Sequence, residues 1–147
     1  MDMHPSASCA HSVIHVLETN PGQFVSIARQ TSRLPGVPTA RDYSDAEIEQ
    51  LNRGIVNILL EAVRNEQPKA RAVFFEHAIP SFVLEGETPA NMVHWNTSYL
   101  ILFGSALAAC VPAEHRAQVL AWFSGFSGAY VADLLQAASE AAAGLQA

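Results

Sequence analysis

Apolar residues recur at three- and four-residue steps along most of this chain, and no stretch keeps the strict alternation of a β-strand. The pattern predicts a short helix over Ser6–Glu18, closed by Asn20-Pro21-Gly22, and a second over Gln23–Ser32. Leu34 to Arg41 holds two prolines and a glycine and reads as a connecting loop. Ser44-Asp45-Ala46-Glu47 then has the spacing of a capping box, in which hydroxyl and carboxylate satisfy reciprocal backbone donors, and opens a helix to about Asn65. On that helix Ile48, Leu51, Ile55, Ile58, Leu59, Ala62 and Val63 make an apolar face, opposite Glu49, Asn52, Arg53 and Asn57.

Pro68 suits the first turn of the next helix, where its missing N–H is not needed, and Phe74, Phe75, Ala78, Ile79 and Phe82 form its apolar stripe. Pro80 removes the bond to the carbonyl of Glu76, so this helix must kink or stop near His77. After the break at Gly86-Glu87-Thr88-Pro89, Thr88 caps a long helix to about Cys110. Pro112 ends it and begins the last helix, to about Ala142, with residues 143–147 a frayed tail. The last helix carries Val119, Trp122, Phe123, Phe126, Tyr130 and Leu134 along one stripe, and Leu120, Val131 and Leu135 widen it into a second packing surface. Gly104, Gly125 and Gly128 cost helix propensity, for which close helix approach is the main reason and ligand contact the alternative.

These elements make one all-α domain, and 147 residues with 50% hydrophobic content suffice for one core. Residues 1–10 are expected to be flexible and lack the basic start and apolar run of a secretory signal. Charged residues are only 15% of the chain, which implies apolar surface buried against a partner. A net charge of −6, with eight scattered Lys and Arg, argues against nucleic acid. The run from Tyr99 to Val111 is too short to span a bilayer, so a soluble cytoplasmic protein with Cys9 and Cys110 as free thiols is expected, one disulfide being the alternative.

Candidate chemistry is sparse, and no enzyme activity is expected. Ser124-Gly125-Phe126-Ser127-Gly128 lies mid-helix, without the strand that a nucleophile turn needs. Asp42, Asp45, Glu47 and Glu49 favour a helix start, and the apolar stripes hold no paired carboxylates for acid–base work. His11 and His15, four apart, have metal-clamp spacing but read as a surface pair. Neither cysteine has a neighbour in sequence that would activate it.

A helix near 44–65, a kinked helix near 68–85 with a histidine midway, and two long antiparallel helices together resemble the E, F, G and H helices of a globin. The Gly86-x-Thr88 break, the helix from Met92 to Ala109, and Ala117 to Ala138 with Phe126-x-x-x-Tyr130-x-x-Asp133-Leu134 are similar to the non-haem globin-like sensor domains at the N-termini of stressosome regulators, over about two-thirds of the chain. The resemblance implies a globin-like homodimer built by the last two helices, with a sensory or scaffolding role and no catalysis. This chain, ending at Ala147 without a downstream signalling domain, would act alone or on a signalling protein in trans.

Related stand-alone sensors hold an apolar ligand such as a fatty acid where a haem would sit, with no cofactor. Here Phe74, Phe82, Trp95, Tyr99, Phe103, Trp122 and Phe126, with Phe75 and Phe123, are the candidate lining, and plain core packing is the competing reading. His77 and His94 are the candidate pocket histidines. The alternative is a gas-binding globin in which His77 ligates haem iron, although Glu76 and Pro80 depart from a characteristic proximal pattern. A ligand-free helical structural partner is the third reading.

Overall fold

Short-range chemical signals set where the helices begin and end. In the computed structural model, which describes residues 4–19, 22–32 and 43–145, these are α1 (Ala7–Thr19), α2 (Gly22–Ser32), α3 (Asp45–Arg64), α4 (Lys69–Val73), a π turn (Phe74–Ala78), α5 (Ile79–Leu84), α6 (Pro89–Cys110) and α7 (Arg116–Leu145). The described residues contain no strand, so the chain is all-α. The loop expected at 34–41 lies outside them.

The capping box at Ser44 forms as its spacing requires: Glu47 N–H donates to Ser44 Oγ at 3.2 Å, and Ser44 N–H donates to Glu47 Oε1 at 3.1 Å. Asn65 ends α3 in the left-handed region, φ 60°. Gly86, at φ +105°, makes the break before Thr88, whose Oγ1 accepts from Asn91 N–H at 3.2 Å and caps α6.

At Pro80 the helix neither stops nor breaks sharply. Pro80 has no N–H to give the Glu76 carbonyl, and the turn before it is wider than an α turn, with Ile79 N–H donating to the Phe74 carbonyl five residues back. The chain therefore runs on into α5 as one continuous element, α4–α5.

The centre of the fold is the α6–α7 pair. A Cβ at Gly104 would lie 2.7 Å from Phe123 Cδ1, so the two helices are in contact at a distance only glycine allows. This gives close helix approach as the reason for Gly104. Phe24 of α2 stacks on Phe103 of α6 at 4.2 Å, and Phe103 lies parallel to Phe123 at 5.9 Å, so one column of rings joins three helices. α5 packs on α7, whereas α3 packs on α1, α2 and α4.

Two expectations need correction, at Asn52 and after Pro112. Asn52 is not on a polar face: it is 2% exposed, because its Oδ1 accepts the Tyr99 hydroxyl hydrogen bond inside the core. Residues 7–10 are helical, with Cys9 and Ala10 buried against the core. The last helix, α7, runs through to Leu145. After Pro112 a 3₁₀ turn, Ala113–His115, precedes the last helix. Cys9 and Cys110 are both free, and burial pushes the Cys9 thiol up.

Gly104→Ala is expected to lower unfolding free energy by about 1–3 kcal/mol through overpacking against Phe123. Gly54→Ala, where a Cβ meets nothing within 4 Å, is expected to raise it by about 0.5–1 kcal/mol through helix propensity. Urea titration followed by circular dichroism measures both; equal effects would refute the close-contact account.

Candidate functional site

α3 and α4–α5 run antiparallel from a shared corner. There Ala70 N–H donates to Glu61 Oε1 at 2.6 Å, which fixes α4 against the end of α3. Farther along, α5 packs on α7, and α3 and α5 are left with a groove between them, open to solvent, of about 590 Å³. Leu51, Val73, Phe74, Ala78 and Phe82 give it an apolar floor, and Gly54 leaves room on the α3 side. Val73 is 59% exposed, a large exposure for a valine. Tyr43, Glu47, Gln50, Arg53, Ser81 and Glu85 are the main polar residues of its rim.

Beneath the floor lie two small cavities of about 20 and about 10 Å³, both lined by Phe74, Trp95 and Asn96. Trp95 Nε1–H is buried and has no acceptor among the described residues. Asn96 Nδ2 donates to the Met92 carbonyl at 2.8 Å, and the Tyr99 hydroxyl donates to Asn52 Oδ1 at 2.5 Å, tying α6 to α3 across the interior. At the α4–α5 edge, Arg71 lies 4.9 Å above the Phe75 ring and pairs with Asp133 of α7.

The structure divides the residues singled out from the sequence. Phe74 and Phe82 floor the groove, and Trp95 and Tyr99 line the small cavities below it. Phe103, Trp122 and Phe126 lie elsewhere: Phe103 is in the ring column, and Trp122 stacks on Phe126 at 5.9 Å, which stacks in turn on Tyr130 at 5.9 Å. His77 and His94 are exposed and line neither the groove nor the small cavities. His11 and His15 are both exposed on α1, and no group of three or more His, Cys, Asp or Glu among the described residues is placed to hold a metal ion.

Sequence reasoning missed Tyr43, Leu51, Gly54 and Val73 as groove residues, and Glu87 beneath it. Gly54 carried a signal, since a glycine in mid-helix lowers propensity with no turn to explain it. Glu87 carried none. It is 8% exposed, lines the larger of the two small cavities, and its Oε1 accepts Thr88 N–H at 3.2 Å. No protein-family model, curated protein or solved structure matches the chain.

All three tyrosines of the chain, Tyr43, Tyr99 and Tyr130, are held above the usual phenol range, chiefly by burial. At Tyr43 the carboxylates of Glu85, Glu87 and Glu47 push further in the same direction, whereas at Tyr130 the Arg71 charge opposes it. An acid whose folded pKa is raised loses its proton first in the unfolded chain, so the stability it contributes is intact below about pH 10 and lost as pH rises above that. In an alkaline titration, phenolate absorbance is expected to appear only together with loss of helical circular dichroism; phenolate in a still-helical protein would contradict this.

Proposed function

We propose that this chain is a non-enzymatic, globin-like regulatory module that holds a small molecule with an apolar body in the groove between α3 and α4–α5. The observation that carries the reading is the groove itself: about 590 Å³, floored by Phe74 and Phe82. Small-molecule sites generally have about 300–1,000 Å³ and a mostly apolar lining with a few polar groups at the edge. The groove also lies between the two segments that the globin resemblance pairs with the E and F helices, where a haem sits in that family.

The haem alternative has little support. His77 is exposed and outside the groove, and no histidine or cysteine is among the described residues that line it. A protein ligand for iron would have to be Tyr43, whose phenol is held protonated by burial and three carboxylates.

The reading includes a homodimer through the last two helices. In its support, Ile101 and Leu102 of α6 and Leu120 and Leu135 of α7 are exposed, Ile101 by 64%. No Asp, Glu, Lys or Arg occurs between Thr88 and Ala113, nor between Arg116 and Asp133. Helices of such low charge leave solvent-facing surface that a second copy covers at less desolvation cost than water structuring around it. Signalling then runs through protein contacts of the dimer. No helix among the described residues is long and apolar enough to cross a membrane.

Gly54→Leu places a side chain in open groove space while improving helix propensity. Fluorescent apolar probes are expected to lose affinity by about tenfold or more in this variant at undiminished stability. Unchanged binding would remove the groove from the account. In sedimentation equilibrium the native chain is expected as a dimer and Leu120→Glu/Leu135→Glu as a folded monomer; a monomeric native chain would sink the dimer.

A further inference from the structure

The floor of the groove is apolar along its length, but its two ends differ in charge. Because α3 and α4–α5 are antiparallel, Tyr43 and Glu47 at the start of α3 face Phe82 and Glu85 at the end of α5, far from the Asn57 and Ala70 corner. Tyr43, Phe74 and Phe82 line both the groove and the small cavity in which Glu87 lies, so Glu87 is under the same end.

Glu87 is the most telling of the three. A carboxylate this far from water is ordinarily paired with a cation or held by several donors. At 8% exposure, Glu87 has one hydrogen bond to its carboxylate, from Thr88 N–H, and no ion pair with a Lys, Arg or His among the described residues. Arg53, the one basic residue among the described groove lining, is engaged with Glu49 at 3.6 Å. Glu47 is held by the capping box through one oxygen, and Glu85 is exposed. Among the described residues three carboxylates thus converge on Tyr43 with no Lys, Arg or His ion-paired to any of them, and the raised Tyr43 phenol registers all three. Tyr43 and Phe82, with ring centroids 6.1 Å apart, present aromatic surface at the same end.

The geometry points to an amphiphile with a cationic head, an ammonium or guanidinium group on an apolar chain or ring, as the class of ligand this groove takes. The head lies at the Tyr43–Phe82 end, near Glu85, Glu47 and the buried Glu87, and the body lies over Leu51, Phe74 and Val73. A cation there gains both carboxylate attraction and the faces of two aromatic rings. An anionic head meets repulsion at this end and finds Arg53 already paired. This inference rests on the groove being the ligand site.

Isothermal titration of the full chain with dodecyltrimethylammonium, dodecyl maltoside and dodecanoate, each below its micelle concentration, tests it. The cationic probe is expected to bind about tenfold more tightly than the neutral one, and dodecanoate most weakly. Glu87→Gln and, at the exposed position, Glu85→Gln are each expected to bring the cationic probe toward the neutral affinity while leaving the neutral probe unchanged. Glu140→Gln, at the far end of α7, is expected to change nothing, which separates this site from attraction by the net charge of −6. Equal affinity for all three heads, tightest binding of dodecanoate, or loss of cation preference only in Glu140→Gln overturns the charge assignment and leaves the groove standing. Binding of none of the three, or binding that Gly54→Leu does not weaken, overturns both.

Discussion

The contact between Gly104 and Phe123 is the constraint on which the other helices depend. It brings α6 and α7 together at a distance that a side chain at position 104 would not permit. The ring of Phe123 can then lie parallel to Phe103, and Phe103 receives Phe24 of α2 on its other side. α5 rests on α7, and α3, which packs mainly on α1, α2 and α4, is tied to α6 by the Tyr99–Asn52 hydrogen bond. A substitution that pushed the central pair apart would act on all of these contacts together, as expected of interiors packed to crystalline density.

Helix positions were legible from the sequence because local rules decide them. The box at Ser44 and Glu47, the cap at Thr88 and the break at Gly86 each act over three or four residues, and each is where the sequence puts it. What lay beyond reach depended on pairs distant in the chain. Asn52 reads as polar surface until Tyr99, 47 residues later, supplies its donor. Phe103, Trp122 and Phe126 have the same apolar character as Phe74 and Phe82, yet Phe103 and Trp122 fill the interior, Phe126 packs half-buried against it, and the last two face the groove. Periodicity says that a side chain faces inward; it does not say which of several neighbours meets it. Glu87 was read as part of a turn, where carboxylates are ordinary, and only the fold buries it.

Phe74 links the two surfaces of the molecule. One side of its ring floors the groove, and it stacks on Tyr130 of α7 at 6.1 Å, with Phe75 meeting Tyr130 edge-on at 5.5 Å. Tyr130 is fully buried, and its hydroxyl has no hydrogen-bond partner among the described residues, so packing rather than a hydrogen bond holds it. A ligand that shifts Phe74 therefore bears on α7, which carries Leu120 and Leu135 on its exposed side. If dimerisation alters ligand affinity by some factor, ligand must alter dimerisation by that same factor.

The π turn at Phe74–Ala78 has the form of one extra residue accommodated within an otherwise continuous helix. Each residue of an α-helix turns its successor by about 100°, so tightening this turn to α geometry with all of its residues kept would rotate everything after it by about that amount. Ile79, now buried, and Phe82, now at the groove, would exchange their surroundings for others, although no atom of either had changed. The groove of this protein is in that sense a matter of counting: its floor exists because the helix between Lys69 and Leu84 is one residue longer than its turns require.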